Sequence, residues 1–220
     1  MPSEPRTRSH REAYASSRGL DRVVFFTDAI AAIAITLLIL PLVDLVPESA
    51  SDGRSPAEFF ADNWPEVFGF GISFLVISRL WYAHHQLFEH VRAYTGRLAL
   101  LSVAWAFTIV VLPLPTAMTA EFEPSHFTVG FYIGTMLLSS ALLTIMTFLI
   151  HRNSDIEAPE NPVTRRVLIG SVTITSLFAL ALLIGVLATD VNYWSLFVLL
   201  LAGPVGSLLE RLLPGQRDVG

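Results

Sequence analysis

Long apolar runs alternate with short polar connections along the whole chain of 220 residues. A helix needs roughly 20 mostly apolar residues to cross the hydrocarbon core of a bilayer. Six runs meet this requirement, at about 22–46, 65–88, 97–118, 127–150, 164–188 and 193–212. The pattern therefore predicts an all-α integral membrane protein with six transmembrane helices in one domain, residues 18–213. An arginine-rich tail at 1–17 and a short tail at 214–220 flank that domain, and both tails are predicted to be mobile.

Composition supports the same class of protein. Hydrophobic residues make up 53% of the chain, charged residues only 15%, and the mean hydropathy is +0.58. Soluble domains carry about 25% charged residues. The chain has no cysteine, which excludes disulfides, thiolate metal sites and cysteine nucleophiles. The first 20 residues are polar, so no cleavable signal peptide is predicted.

The distribution of charge predicts the orientation in the membrane. All 14 basic residues are arginines, and with a cytoplasmic N-terminus every one except Arg54 falls on the inner side. The positive-inside rule then places both termini in the cytoplasm, with the predicted helices in the cell membrane. The outer side is acidic, which would concentrate cations there. An acidic outer side is also expected simply because the positive-inside rule keeps arginine out of the outer loops.

The first apolar run is unusual because it contains charge. Arg22 opens the run, and Asp28 follows about a turn and a half later. A charged side chain inside a spanning helix is energetically expensive, so it marks a functional site or a structural pair. Arg22 and Asp28 are six residues apart and do not share a helical face. We therefore expect Asp28 to pair with His84 or His85 of the second run, or with Arg22 of a neighbouring subunit.

An aliphatic stripe follows this charged segment. Ile33, Leu37, Leu40 and Asp44 are spaced four, three and four residues apart, which places them on one helical face. Thr36 lies beside the stripe, where its hydroxyl can face a lumen. Such a stripe also arises from ordinary packing or lipid contact, so spacing alone does not identify a pore.

Prolines and small polar residues mark where the helices begin and end. Pro41 removes the donor for the carbonyl of Leu37, so it either ends or kinks the first helix near its outer end. Ser125 precedes the fourth run and is predicted to cap that helix.

Three motifs resemble the transmembrane protein 175 family of potassium-permeable channels. The first motif resembles the family's first-helix signature and consists of Arg22, three further residues, Phe26-Thr27-Asp28, and then Ala-Ile-Ala-Ile-Thr-Leu-Leu at 32–38. In the family, serine usually stands at the position of Thr27. Trp81, His84-His85 and Phe88 resemble the end of its second helix, and Leu-Pro-Leu-Pro-Thr at 112–116 resembles its third more loosely. Ala29, Ile30 and Ala31 depart from the Gly, apolar residue and Phe common in the family. The resemblance covers roughly residues 18–120.

The resemblance implies a quaternary structure and a set of pore residues. In bacterial relatives four six-helix subunits surround one pore lined by helix one, without a Thr-Val-Gly-Tyr-Gly filter, and this chain also lacks that filter. The family's pore positions correspond here to a constriction and lining at Ile33, Leu37, Leu40 and Thr36, to which we add Asp44 at the outer mouth. The residues implied to brace the pore helix are Arg22, Phe26, Thr27 and Asp28, supported by Trp81, His84 and His85. Coordination of an ion by Asp28 is the alternative.

The expected function is a leak-type potassium channel with modest selectivity for potassium over sodium. Its constriction would be a hydrophobic neck that gates by dewetting. The expected partners are further copies of the chain, the bilayer and permeant potassium ions, with no cofactor and no nucleic acid.

The residues bear on three other classes of function. A proton-permeable channel remains open. A secondary transporter would need polar groups at mid-membrane, where helices three to six offer only Ser and Thr. An enzyme is not expected, since no nucleophile and base pair is evident. The segment with His84, His85, Glu89 and His90 offers two or three imidazoles but no clear fourth ligand, so it predicts no metal site. The alternatives are a pH-sensitive collar at the cytoplasmic end and interface histidines that are hydrogen-bonded to neighbouring helices.

Overall fold

The computed structural model describes residues 5–93, 95–188 and 191–212, with side chains described from residue 18 onward apart from 192, 210 and 211. The predicted tail at 214–220 lies outside these residues. The helices are α1 (Pro5–Leu37), α2 (Leu40–Ser51), α3 (Pro56–Asp62), α4 (Trp64–Phe88), α5 (Gly96–Val111), α6 (Pro113–Glu121), α7 (His126–His151), α8 (Arg165–Leu187), a 3₁₀ helix (Asn192–Leu201) and α9 (Ala202–Leu212). Over the described residues the fold is all-helical, as predicted.

Five helical segments of the described chain are long and apolar enough to cross a membrane. They are Arg18–Ser51, Trp64–Phe88, Gly96–Glu121, His126–His151 and Arg165–Leu187. The predicted sixth run instead forms the 3₁₀ helix followed by α9, and its apolar stretch Tyr193–Leu209 is shorter. Pro204 near the start of α9 removes one backbone donor, which favours a change of helix type at this point.

Prolines interrupt two of the five spans. α1 ends at Leu37 and α2 begins at Leu40, with Pro41 in the first turn of α2. α5 and α6 meet in the same way at Pro113, and the Leu112 N–H donates to the Ile109 carbonyl at 3.3 Å. Pro41 therefore breaks the first span without ending it, because helix resumes on its far side.

α1 begins well before its predicted start. The apolar run opens at residue 22, but the helix starts at Pro5 and includes most of the predicted tail at 1–17. Hydropathy detects only the apolar part of a helix, so it does not reveal that α1 extends through the polar residues before residue 22. The segment predicted as a tail is therefore helical from Pro5 onward.

α7 lies at the centre of the bundle. It packs against α8 and α5, while α1 packs against α5 and α4. Ser125 caps α7, as predicted, by accepting a hydrogen bond from the Thr128 N–H. The core holds large buried side chains such as Trp105, Met136 and Met146. These contacts place α1 on the outside of a packed core.

Backbone pairing joins the loops at the arginine-rich end of the bundle. The Arg92 N–H donates to the Ile156 carbonyl at 2.9 Å, and the Ala158 N–H donates to the His90 carbonyl at 2.8 Å. His90 Nδ1 lies 2.8 Å from the Asn161 carbonyl oxygen, to which it donates. The end of α4 is thereby tied to the connection between α7 and α8.

Candidate functional site

α1 has two distinct faces. Ala31, Ala34 and Leu38 are buried, and this side packs on α4 and α5. Ile33 and Leu37 belong to the opposite side, where 59% and 42% of their surface is exposed. Small residues on the buried face allow the close approach that helix packing in membranes requires.

The predicted stripe continues across the break at Pro41. Leu40 in the first turn of α2 is 47% exposed, and Asp44 one turn later is also exposed. Thr36 is exposed, and its hydroxyl donates to the Ile33 carbonyl at 2.7 Å, which leaves the oxygen lone pairs free. The five predicted pore residues thus share one exposed side, divided between α1 and α2.

The first-helix signature is divided between the two faces of α1. Thr27 is fully buried, and its hydroxyl lies 3.0 Å and 2.9 Å from the carbonyls of Val23 and Val24. Arg22 and Phe26 are exposed and face away from the bundle. Within one described subunit, therefore, Thr27 and Asp28 face the neighbouring helices, whereas Arg22 and Phe26 do not.

Asp28 is joined to α4 by two side chains. The indole N–H of Trp81 donates to Asp28 Oδ1 at 2.8 Å. His85 Nδ1 lies 3.7 Å from Asp28 Oδ2, which is an ion pair whenever the imidazole is protonated and too long for a hydrogen bond. The Trp81 and His85 rings lie 5.8 Å apart, one helical turn from each other. These contacts link the first spanning helix to the second.

His84 has a different environment from its neighbour. Its ring is buried and stacks on Trp105 of α5 at 4.0 Å, with an interplanar angle of 14°. The Phe88 ring also packs against the His84 ring, with the two ring centroids 4.7 Å apart. Of the two histidines that the sequence offered as partners, Asp28 therefore contacts His85, and His84 belongs to the core.

A second buried polar cluster was not foreseen. Ser73 Oγ lies 2.7 Å from the Tyr132 hydroxyl and 3.0 Å from Thr116 Oγ1, which joins α4, α6 and α7. All three side chains are buried. The only sequence signal was a polar residue inside each of three apolar runs, which does not reveal that the three meet.

The histidines of α4 do not converge on a common point. His85 faces Asp28, His84 faces Trp105 and His90 faces Asn161. Among the described residues, no group of three or more His, Cys, Asp or Glu side chains is placed to hold a metal ion.

Fold and site together define an all-helical membrane protein whose first spanning helix is held against the second by a carboxylate. The model of the family described as "Endosomal/lysosomal potassium channel TMEM175" matches residues 22–113, the part that contains both α1 and this cluster. Residues 22–113 thus match the model of the TMEM175 family, and the resemblance noted from the motifs is confirmed.

Individual relatives agree with this assignment. A Streptomyces collinus protein named a potassium channel is 36% identical over 120 residues, which cover 53% of this chain and 57% of that protein. The chicken protein named endosomal/lysosomal proton channel TMEM175 is 37% identical over 112 residues, 48% of this chain and 22% of that protein. The chain thus matches little more than half of the first relative and less of the second. Both relatives are named as ion channels rather than enzymes.

A solved structure extends the likeness of fold beyond residues 22–113. The TMEM175 homologue from Chamaesiphon minutus, described as a lysosomal potassium-selective channel homologue, superimposes with a TM-score of 0.68. The superposition covers 86% of this chain and 96% of that one, at 21% sequence identity. The likeness of fold therefore extends into the second half of the bundle.

Proposed function

We propose that the protein is a potassium-permeable cation channel of the cell membrane, assembled from four copies of the chain. Helix α1 lines the pore, and the aliphatic side chains Ile33, Leu37 and Leu40 form a hydrophobic neck. The observation that carries the proposal is the two-faced character of α1. One face is fixed against the bundle by small residues and by Asp28, while the other presents a continuous aliphatic row.

Burial supports this arrangement for an energetic reason. A helix whose apolar side faces only lipid gains nothing from being anchored by a charged residue, because that charge is costly in the membrane. Anchoring becomes useful when the exposed row lines a pore whose radius must stay constant. The contacts of Asp28 with Trp81 and His85 supply such an anchor one to two turns before Ile33.

A neck of this kind selects weakly. Four isoleucine side chains leave a narrow passage that ions cross only when it is hydrated, so slight dilation switches it by wetting. Selectivity then depends on the cost of removing water, assisted by the hydroxyl of Thr36, and not on a cage of carbonyl oxygens. We therefore propose a modest preference for potassium over sodium.

The test is a planar bilayer with potassium on one side and sodium on the other, after the copy number has been measured by native mass spectrometry. Four copies and a reversal potential displaced toward that of potassium are expected. A reversal potential of zero would contradict the selectivity. No current from folded, oligomeric protein would contradict the channel.

A proton channel is the second candidate, because vertebrate relatives at 31–37% identity carry that name. An apolar neck can admit a transient file of water and so pass protons. A pH gradient under symmetrical potassium separates the two candidates. If the proton pathway dominates, the reversal potential follows the pH gradient, whereas a potassium pathway leaves it at zero.

A further inference from the structure

A lateral groove of about 540 Å³ lies between α4, α7 and α8. Leu75 and Tyr82 at its rim are exposed, so the groove opens on the side of the bundle and not at an end. Much of its lining is apolar, from Leu143, Val167, Ile174, Phe178 and Leu199. The groove is separate from the exposed face of α1 and from the Asp28 cluster.

One charged side chain, Arg79, lines this groove deep within the span. Arg79 is nine residues before Phe88, the last residue of α4, which corresponds to about 13 Å along the helix axis. It is exposed, and no described side chain lies within ion-pair distance of it. An uncompensated guanidinium at this depth costs several kcal/mol on the translocon scale, about 2.5–3.5 kcal/mol at a helix centre.

Other arginines of the chain show how such a charge is normally satisfied. Arg54 pairs with Asp62, and Arg92 donates to the Ser154 carbonyl at 2.8 Å. The described lining of the groove contains no Asp or Glu that could play the same part for Arg79. Among the described residues, therefore, no counter-charge for Arg79 is present, which leaves room for one supplied by a bound molecule.

A polar path connects Arg79 with the arginine-rich end of the bundle. Tyr82 and Gln86 follow Arg79 at three and seven residues, which keeps them on the same side of α4, and His90 lies just beyond the end of that helix. All three line the groove. Gln86 Nε2 donates to the Tyr82 hydroxyl at 3.2 Å. Thr144 from α7 faces this path across the groove. A polar headgroup entering from the membrane surface finds hydrogen-bonding partners along this path.

We propose that this groove binds an anionic phospholipid, with the phosphate at Arg79 and an acyl chain along the apolar wall. The lateral opening and the apolar lining suit a lipid better than a free anion. The absence of described acidic lining residues leaves nothing to hold the cationic amine of a zwitterionic headgroup, so net negative charge is preferred. Basic pockets between transmembrane helices bind anionic headgroups in the same way.

The first test compares lipid binding by charge variants. Purified, delipidated protein is titrated with phosphatidylglycerol or phosphatidylcholine, and bound lipid is counted by native mass spectrometry. Wild type is expected to bind phosphatidylglycerol at least about tenfold more tightly, a difference of about 1.4 kcal/mol. Arg79→Gln should lose this preference, and Arg79→Lys should keep most of it. Arg97→Gln is the matched control, because Arg97 is also exposed but does not line the groove.

The second test fills the groove and leaves its charge intact. Gly170 lines the groove, and a Cβ built there meets no heavy atom within 4 Å, so we expect the side chain of Gly170→Leu to extend into the groove and occupy the space of the lipid. It should weaken phosphatidylglycerol binding as Arg79→Gln does. Gly134→Leu is the control, since Gly134 also has an open Cβ position and lies outside the groove.

Three outcomes would overturn the proposal. Equal binding of the two lipids by wild type removes the role of charge. Complete competition by inorganic phosphate in detergent assigns the site to a free anion. A change of oligomer mass in Arg79→Gln, with unchanged lipid binding, assigns the groove to a second copy of the chain. None of these readouts depends on ion conduction, so the proposal stands or fails separately from the channel function.

Discussion

The indole N–H of Trp81 donates to Oδ1 of Asp28 at 2.8 Å, and this bond joins the second spanning helix to the first. Both residues belong to motifs recognised in the sequence, but only the fold shows that they are partners. The second oxygen of the carboxylate faces His85 at 3.7 Å. Trp81 therefore supplies the one close hydrogen bond that Asp28 receives from another described side chain, and its removal is the most direct test of the bracing role.

We expect Trp81→Phe to lower the thermal midpoint of the protein, because the carboxylate loses its close donor. A hydrogen bond to a charged group contributes about 1.5–3 kcal/mol. The measurement is the temperature at which the detergent-solubilised oligomer is lost in size-exclusion chromatography. Trp194→Phe is the control, since the Trp194 side chain is exposed and its contacts with the described residues are ring contacts with Phe68 and Phe197.

A double-mutant cycle sharpens this test. If Trp81 acts through Asp28, the combined variant Asp28→Asn/Trp81→Phe should be less destabilised than the sum of the two single changes. Additive effects, or a Trp81→Phe midpoint equal to that of Trp194→Phe, would show that the two residues do not form a bracing pair.

Tyr132→Phe tests the polar cluster between α4, α6 and α7. The change removes the hydroxyl that lies 2.7 Å from Ser73 Oγ and leaves Ser73 in an apolar environment with Thr116 as its remaining partner. Loss of a buried hydrogen bond should cost about 1–3 kcal/mol. Tyr82→Phe loses an exposed hydrogen bond to Gln86 and should change the same thermal midpoint little. Equal midpoints for the two variants would contradict a structural role for this cluster.

The sequence predicted the spans well because hydropathy is a local property. The run at 127–150 became α7, His126–His151, and the cap at Ser125 is confirmed. Hydropathy could not locate the start of α1, since residues 5–21 are helical but largely polar. It also could not foresee that the last run would begin as a 3₁₀ helix, because an apolar sequence is compatible with either helix type.

The candidate site could be predicted only in part. Motifs identified Asp28, Trp81 and the two histidines, but the choice between His84 and His85 depends on how α4 rotates against its neighbours. Trp105 from α5 stacks on His84, and this contact turns His85 toward Asp28. Trp105 belongs to no motif, so its role became visible only when α5 was packed beside α4.

Asp44→Asn tests the outer mouth of the proposed pore. Asp44 is exposed on α2 on the same side as Ile33, where its charge would raise the local cation concentration. Single-channel conductance should fall at low salt and converge with wild type at high salt, because screening removes the effect. Glu123→Gln removes an exposed acid after α6 and should leave conductance unchanged. A conductance unaffected by Asp44→Asn at low salt would remove Asp44 from the conduction path.

Ile33→Asn tests the neck itself. An amide in place of a branched aliphatic chain holds water in the narrow passage, so the barrier to ion entry falls. We expect a larger current and a reversal potential closer to zero between potassium and sodium, because hydrated passage discriminates less between the two ions. The measurement is the current of purified protein in a planar bilayer under opposed gradients.

Ala32→Asn is the matched control for this variant. It introduces the same side chain one residue earlier, also at an exposed position of α1, but turned by about 100° around the helix axis. If Ile33 lines the pore, Ala32→Asn should conduct and select like wild type. Equal effects of the two variants would mean that α1 responds to any polar residue and that its aliphatic row does not form the neck. An unchanged current in Ile33→Asn, in protein that retains its oligomeric mass, would place the constriction on another helix.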